Sequence, residues 1–134
     1  MKTSKEERLH RKELTKQIKD LLDPSKQDLL HDAASIKAML LINKFQTEME
    51  LNIVCTCENN GVGFNSIDGT IMTSICKQIT EKYWLSDKQI SCIKKIMKKY
   101  WKQLLFISLS EYRDSHIDEI IKKWKTNNIN RYHN

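Results

Sequence analysis

Between Ile90 and Leu104 the chain carries five lysines, Lys94, Lys95, Lys98, Lys99 and Lys102, with no acidic residue among them. Lysine ammonium groups are flexible point charges, suited to holding phosphate oxygens rather than to reading base edges. On a helical wheel of about 100° per residue the five fall in one half. Ile90, Ile93, Ile96, Met97, Tyr100 and Leu104 fall in the other, and Trp101 lies at the seam, nearest Lys94. Lys94–Lys98 and Lys95–Lys99 are like-charge (i, i+4) pairs, each unfavourable by roughly a few tenths of a kcal/mol. A solvated helix face tolerates that. A polyanion turns the repulsion into attraction, because each neutralised phosphate releases a condensed counterion. Both readings stay open.

The charge distribution favours the second. Residues 1–60 carry ten Lys/Arg and ten Asp/Glu, whereas residues 61–134 carry thirteen and seven, so the formal net charge of +6 arises after residue 60. A localised basic excess points to nucleic acid or an acidic protein partner. Bases stack on exposed aromatic rings. Trp84 and Trp101 are the candidates for that role, while Tyr83, Tyr100 and Trp124 lie on core-facing arcs. Gln103 lies on the basic face and could donate to a phosphate or a base.

Other chemistry is weakly marked. No G-x-x-x-x-G-K-[ST] phosphate loop occurs. Cys55 and Cys57 form a C-x-C pair, Cys76 and Cys92 fall on expected helices, and the four histidines are scattered, so neither zinc nor another cofactor is expected. Asp114, Asp118 and Glu119 gather near His116, a pattern a metal nuclease would want. A solvated helix face explains it as well, and the chain is expected not to be an enzyme.

The elements positioning these residues are expected to be helices, since Gly and Pro, at three and one, are too few for the turns of an all-β fold. Ser4 and Glu7 have capping-box spacing before a helix over about 4–22. Asp23-Pro24 restarts a second, more apolar helix with Leu29, Leu30, Ala33, Ile36, Leu40 and Phe45, expected to be central. Residues 51–65 break the pattern, with a turn signal at Asn59-Asn60-Gly61 and room for a short extended piece. Asp68 can cap a third helix over about 69–83. Ser86 with Gln89 opens a fourth over about 87–105, and Ser110 a fifth over about 111–125. The expected architecture is an all-α compact bundle of about four to six helices with an irregular glycine-containing turn near the middle. Residues 1–126 form one domain, with a basic module at 61–105, and 127–134 a flexible tail. No run is long and apolar enough to span a membrane and no secretory leader is visible, so a cytoplasmic location with reduced thiols is expected.

Gly61, Gly63, Phe64, Asn65 and Asp68, then Leu85, Ser86, Lys88 and Gln89, then Lys99, Tyr100, Gln103 and Leu104 stand in a recurring order and spacing. The stretch resembles a short G-x-G-F-N-x-x-D … L-[ST]-x-[KR]-Q … K-Y-x-x-Q-L module of prokaryotic and phage DNA-processing proteins, some of them helicases, over about a third of the chain. The resemblance implies an accessory, non-catalytic role in DNA transactions. The residues also have local explanations: Gly61 and Gly63 permit a turn or close approach, and Phe64 can staple onto the following helix. Asn65 and Asp68 suit a turn and a cap, and Ser86 and Gln89 a capping box.

The leading expectation is a nucleic-acid-binding accessory protein for single-stranded or backbone-directed contacts in replication or a related transaction. DNA is favoured over RNA, with a helicase, primase or polymerase as protein partner. The alternative is a phage- or mobile-element-encoded adaptor or inhibitor that turns the basic helix toward an acidic protein.

Overall fold

The computed structural model describes residues 4–52 and 63–132, with side chains described for all of these except 47–52. Six α-helices are present among the described residues: α1 (Ser4–Leu21), α2 (Leu29–Asn52), α3 (Ser66–Lys82), α4 (Asp87–Met97), α5 (Trp101–Leu109) and α6 (Ser115–Asn128). Two 3-10 turns, Lys98–Tyr100 and Ile129–Tyr132, join α4 to α5 and follow α6. The expected all-α bundle is what the chain forms. No described helix is long and apolar enough to cross a membrane.

α2 is the central helix and touches α1, α3, α4, α5 and α6. Its buried positions, including Ile36, Met39 and Ile42, run round much of its circumference, as a helix surrounded by others requires. They meet Met72 and Ile79 of α3, Ile93 and Met97 of α4, and Trp124 of α6 in one apolar cluster. Fully burying such a side chain contributes roughly 1.5–3 kcal/mol. α1 is different. Residues 4–13 are all exposed, and only Ile18 within the helix is buried. It lies along α5 and α2, with Glu6 and Glu7 in its first turn and Lys19 in its last, matching the helix dipole.

Helix boundaries depart from the sequence reading where a neighbouring polar residue does the capping. α2 starts at Leu29, because the Asp23 carboxylate accepts from the Ser25 amide and hydroxyl. Asp28 caps α2 instead, accepting from the His31 N–H at 2.8 Å. α2 also runs on through Leu51 and Asn52, where a break was expected. Asn65, not Asp68, caps α3, so the helix begins almost a turn early. The Ser86–Gln89 capping box forms as expected. The single helix expected over 87–105 is instead two, joined by the turn at Lys98–Tyr100 and ending at Leu109. Asp114, not Ser110, caps α6, accepting from His116 and Ile117. Gly61, Cys55 and Cys57, and the proposed extended piece beyond Asn52, lie outside the described residues.

The expected frayed tail is packed as far as Tyr132. Asn128 is buried and its amide donates to the Trp124 carbonyl at 2.8 Å. Arg131 reaches the Leu85 carbonyl, and the Tyr132 hydroxyl donates to Asp32 Oδ2 at 2.5 Å.

Candidate nucleic-acid interface

The five lysines do not share one face. Lys94 points inward: its side chain is 6% exposed, and Nζ lies 2.7 Å from Asp32 Oδ1. It also donates to the Lys26 carbonyl at 2.7 Å. Asp32 in turn accepts from Tyr132. The expectation that Lys94 holds a phosphate is therefore corrected. A uniform wheel shows charge but cannot show the carboxylate on α2 that draws a lysine stem into the core.

Lys99 turns to the opposite side, where Nζ donates to Asp68 Oδ2 at 2.9 Å. Asp68 is buried, and that oxygen also accepts from the Tyr100 hydroxyl at 2.8 Å and the Asn65 amide at 3.1 Å. Burial pushes the Asp68 pKa upward, but the hydrogen bonds from Lys99, Tyr100 and Asn65 outweigh it and hold the carboxyl below its ordinary value. The bond to Asp68 raises the Lys99 pKa, and burial raises that of Tyr100.

Lys95, Lys98 and Lys102 remain exposed, and none has an ion-pair partner among the described residues. α1 adds a fourth cation that the sequence reading missed: Lys19 Nζ sits 4.2 Å from the centroid of the Trp101 ring, with Lys102 Nζ at 5.7 Å. Trp101 is half-buried. With an ammonium group against its ring, it is better placed to hold lysines by cation–π attraction than to offer a bare surface to a base. Lys19, Lys98 and Trp101 line a cleft of about 450 Å³ beside Leu22, Asp23 and Pro24. Trp84 lies before the other end of α4, 49% exposed, with the Arg131 guanidinium 5.5 Å from its ring.

The glycine-turn residues form a polar lock between the start of α3 and the α4–α5 corner. The Gly63 N–H donates to Gln103 Oε1 at 2.7 Å, and Gln103 Nε2 donates to the Gly63 carbonyl at 2.9 Å. The Gln103 amide is thereby engaged, which corrects its assignment to phosphate or base. Gln46 Oε1 accepts from the Phe64 N–H at 3.0 Å, and the Asn65 N–H donates to the Tyr100 hydroxyl at 3.0 Å. Phe64 precedes the cap, as a staple should, but the residue it would staple to is Gly69. It packs edge-on against Tyr100 instead, at a centroid distance of 5.3 Å. Gly63 has φ +149°, and a Cβ there would lie 2.8 Å from Gln46 Oε1. Gln89 exceeds its capping role, exchanging hydrogen bonds with Gln78 of α3 at 2.8 and 3.0 Å.

The acidic residues near His116 are taken up by a helix cap and by ion pairs within α6 and to α2. Asp114 caps α6, Asp118 lies 3.1 Å from Lys37, and Glu119 lies 3.3 Å from Lys123. Among the described residues no group of three metal-binding side chains converges. Cys76 is buried, its thiol pushed up to about 12 by burial alone, so it is a core residue of low reactivity. Of the residues the sequence reading missed, Asp32 carried a signal, a carboxylate beside Ala33 and Ala34 in an apolar stretch. Lys19, Gln46 and Tyr132 carried none, because their partners lie far away in the chain. No protein-family model, curated protein or solved structure matches the chain.

Proposed function

We propose that this protein is a nucleic-acid-binding accessory protein that holds a phosphate backbone through Lys95, Lys98 and Lys102 of α4–α5 and Lys19 of α1. The observation that carries this reading is a set of four exposed ammonium groups from two helices with no ion-pair partner among the described residues: Lys19 and Lys102 lie against the Trp101 ring, Lys98 lines the cleft beside it, and Lys95 stands three residues before Lys98. On the α1 side Asp20 pairs with Lys26 at 2.6 Å, while Asp23, which accepts from Ser25, keeps its charge within electrostatic reach of Lys98. The DNA-processing module that residues 61–104 resemble favours DNA as the polyanion and a replication or related transaction as the setting, with a helicase, primase or polymerase as the protein it assists. In this reading the module's own residues shape the fold, and the lysines beside them make the contact.

The test is a fluorescence titration of labelled oligonucleotides at 50 and 200 mM salt. Four phosphate contacts to a single strand give a slope of log K against log salt near about −2.8, which is roughly a fifty-fold loss of affinity over that range. Reversing Lys95 and Lys98 to glutamate should flatten the slope by about half or more. Lys99 is left intact, because its loss would disturb Asp68. An unchanged slope after that reversal refutes the interface. Absence of binding at low salt, together with capture of an acidic protein after nuclease treatment, would favour the adaptor reading instead.

A further inference from the structure

We infer that the cleft at the start of α4 receives an unpaired nucleobase from a single strand lying across the lysines, an inference that rests on the nucleic-acid reading above. The cleft holds about 590 Å³ between the connector before α2, the flank of α4 that carries Ile90, Ser91, Lys94 and Lys95, and the last 3-10 turn. That is ample for a nucleotide-sized group. Its walls differ in character from the surface outside. Asp28, Asp32 and Asp87 face Lys94, Lys95 and Arg131, three charges of each sign, so the lining is formally neutral. Two of these charges, Asp32 and Lys94, are paired with each other at 2.7 Å. The interior of such a cleft offers a phosphate little, because Asp32 offsets Lys94 and Asp87 lies 3.9 Å from Arg131, which leaves only the exposed Lys95 for the backbone. A neutral planar ring with donors and acceptors along its edge suits it better. Pro24 supplies apolar contact at the wall, with Ile90 buried beneath it, and Gln27, Ser91 and Asp87 supply exposed polar groups for the edge.

The position relative to the lysines sets which nucleic acid can use it. Lys95 lines this cleft and Lys98, three residues on, lines the smaller cleft beside Trp101; Pro24 lines both. A backbone running along Lys95, Lys98 and Lys102 therefore passes the mouth of the neutral cleft. In a single strand a base can turn in from that backbone. In a duplex the same base must first be unpaired and unstacked, which costs free energy that a single strand does not spend. The cleft thus supplies a preference for single strands that the lysines alone, which see only phosphate, do not.

The experiment compares three labelled probes of equal length: a single strand, the same strand in a duplex, and a strand of abasic units that keeps the phosphates. They are titrated against wild type, Ser91→Trp and Lys95→Glu/Lys98→Glu. Ser91 is exposed on α4, so tryptophan there fills the mouth of the cleft without entering the core. Wild type is expected to bind the single strand at least ten-fold more tightly than the duplex or the abasic strand. Ser91→Trp should bring the single strand down to the abasic level and leave duplex affinity unchanged, with an unaltered circular dichroism spectrum. Equal wild-type affinity for normal and abasic strands, or an unaffected Ser91→Trp variant, overturns the inference while leaving the lysine interface standing. Insensitivity of every probe to the Lys95→Glu/Lys98→Glu change overturns the interface and the inference with it.

Discussion

Replacing Lys94 with methionine removes its ammonium group and keeps most of its hydrocarbon stem. In the native fold that group lies 2.7 Å from Asp32 Oδ1, with the two side chains 6% and 9% exposed. Breaking a buried pair by deleting one partner costs about 3–5 kcal/mol, because the remaining charge is left uncompensated. Asp32 would keep the hydrogen bond from Tyr132, which places the expected loss near the lower end, about 3 kcal/mol. Against a total stability of roughly 5–15 kcal/mol this is a large fraction. Urea denaturation followed by circular dichroism reads it directly. With a slope of about 1–3 kcal/mol per molar urea, the midpoint should fall by roughly 1–3 M. The double variant Lys94→Met/Asp32→Leu removes both charges, and should recover most of the loss. The salt slope of any nucleic-acid binding should be the same in Lys94→Met as in wild type. A midpoint shift below about 0.3 M, or lost binding at unchanged stability, would refute the assignment of Lys94 to the core.

Gly63→Ala should destabilise by about 2–4 kcal/mol, combining backbone strain at φ +149° with displacement of Gln46 from the Phe64 amide; adding Gln46→Ala should remove the steric part, read by the same urea titration. Glu111 is exposed and adopts φ +60°, so Glu111→Gly should raise the thermal midpoint by about 2–4 °C, measured by calorimetry. Asp68 has a lowered folded-state pKa, so its ionised form stabilises the fold above the ordinary carboxylate value, and that contribution is lost as pH falls below about 4. Asp68→Asn should therefore be less stable than wild type at pH 7 and lose less on acidification to pH 3, by thermal melts at the two pH values.

The helical class and the central place of α2 were legible because they depend on local pattern: apolar positions recur, and Gly and Pro are scarce. The Ser86–Gln89 box was legible for the same reason, both partners lying within one turn. The corrected boundaries also involve local groups, but several candidates compete there. Asp23 and Asp28 both precede α2, and only the geometry of Ser25 decides which one is free to cap it. The lysine face was half legible. A wheel identifies positions facing away from Ile93 and Met97, but it does not contain Asp32 or Asp68. Those carboxylates lie 62 and 31 residues from Lys94 and Lys99 in the chain, and they divide what the wheel unites. Gly63, Asn65 and Asp68 were legible as turn and cap residues, while the lock they form with Tyr100 and Gln103 was not, because it joins positions more than thirty residues apart and also needs Gln46.

The short turn at Lys98–Tyr100 gives this division a genetic consequence. A 3-10 turn advances by about 120° per residue against about 100° in an α-helix, so three residues rotate everything after them by roughly 60°. Lys99 and Tyr100 are held by Asp68 on one side of this turn, while Lys98 within it and Lys102 just after it are exposed to solvent. The same few backbone bonds thus set the aim of both groups. Substitutions in the lock and substitutions among the lysines should accordingly be epistatic, with the tolerated change at one depending on the residue present at the other.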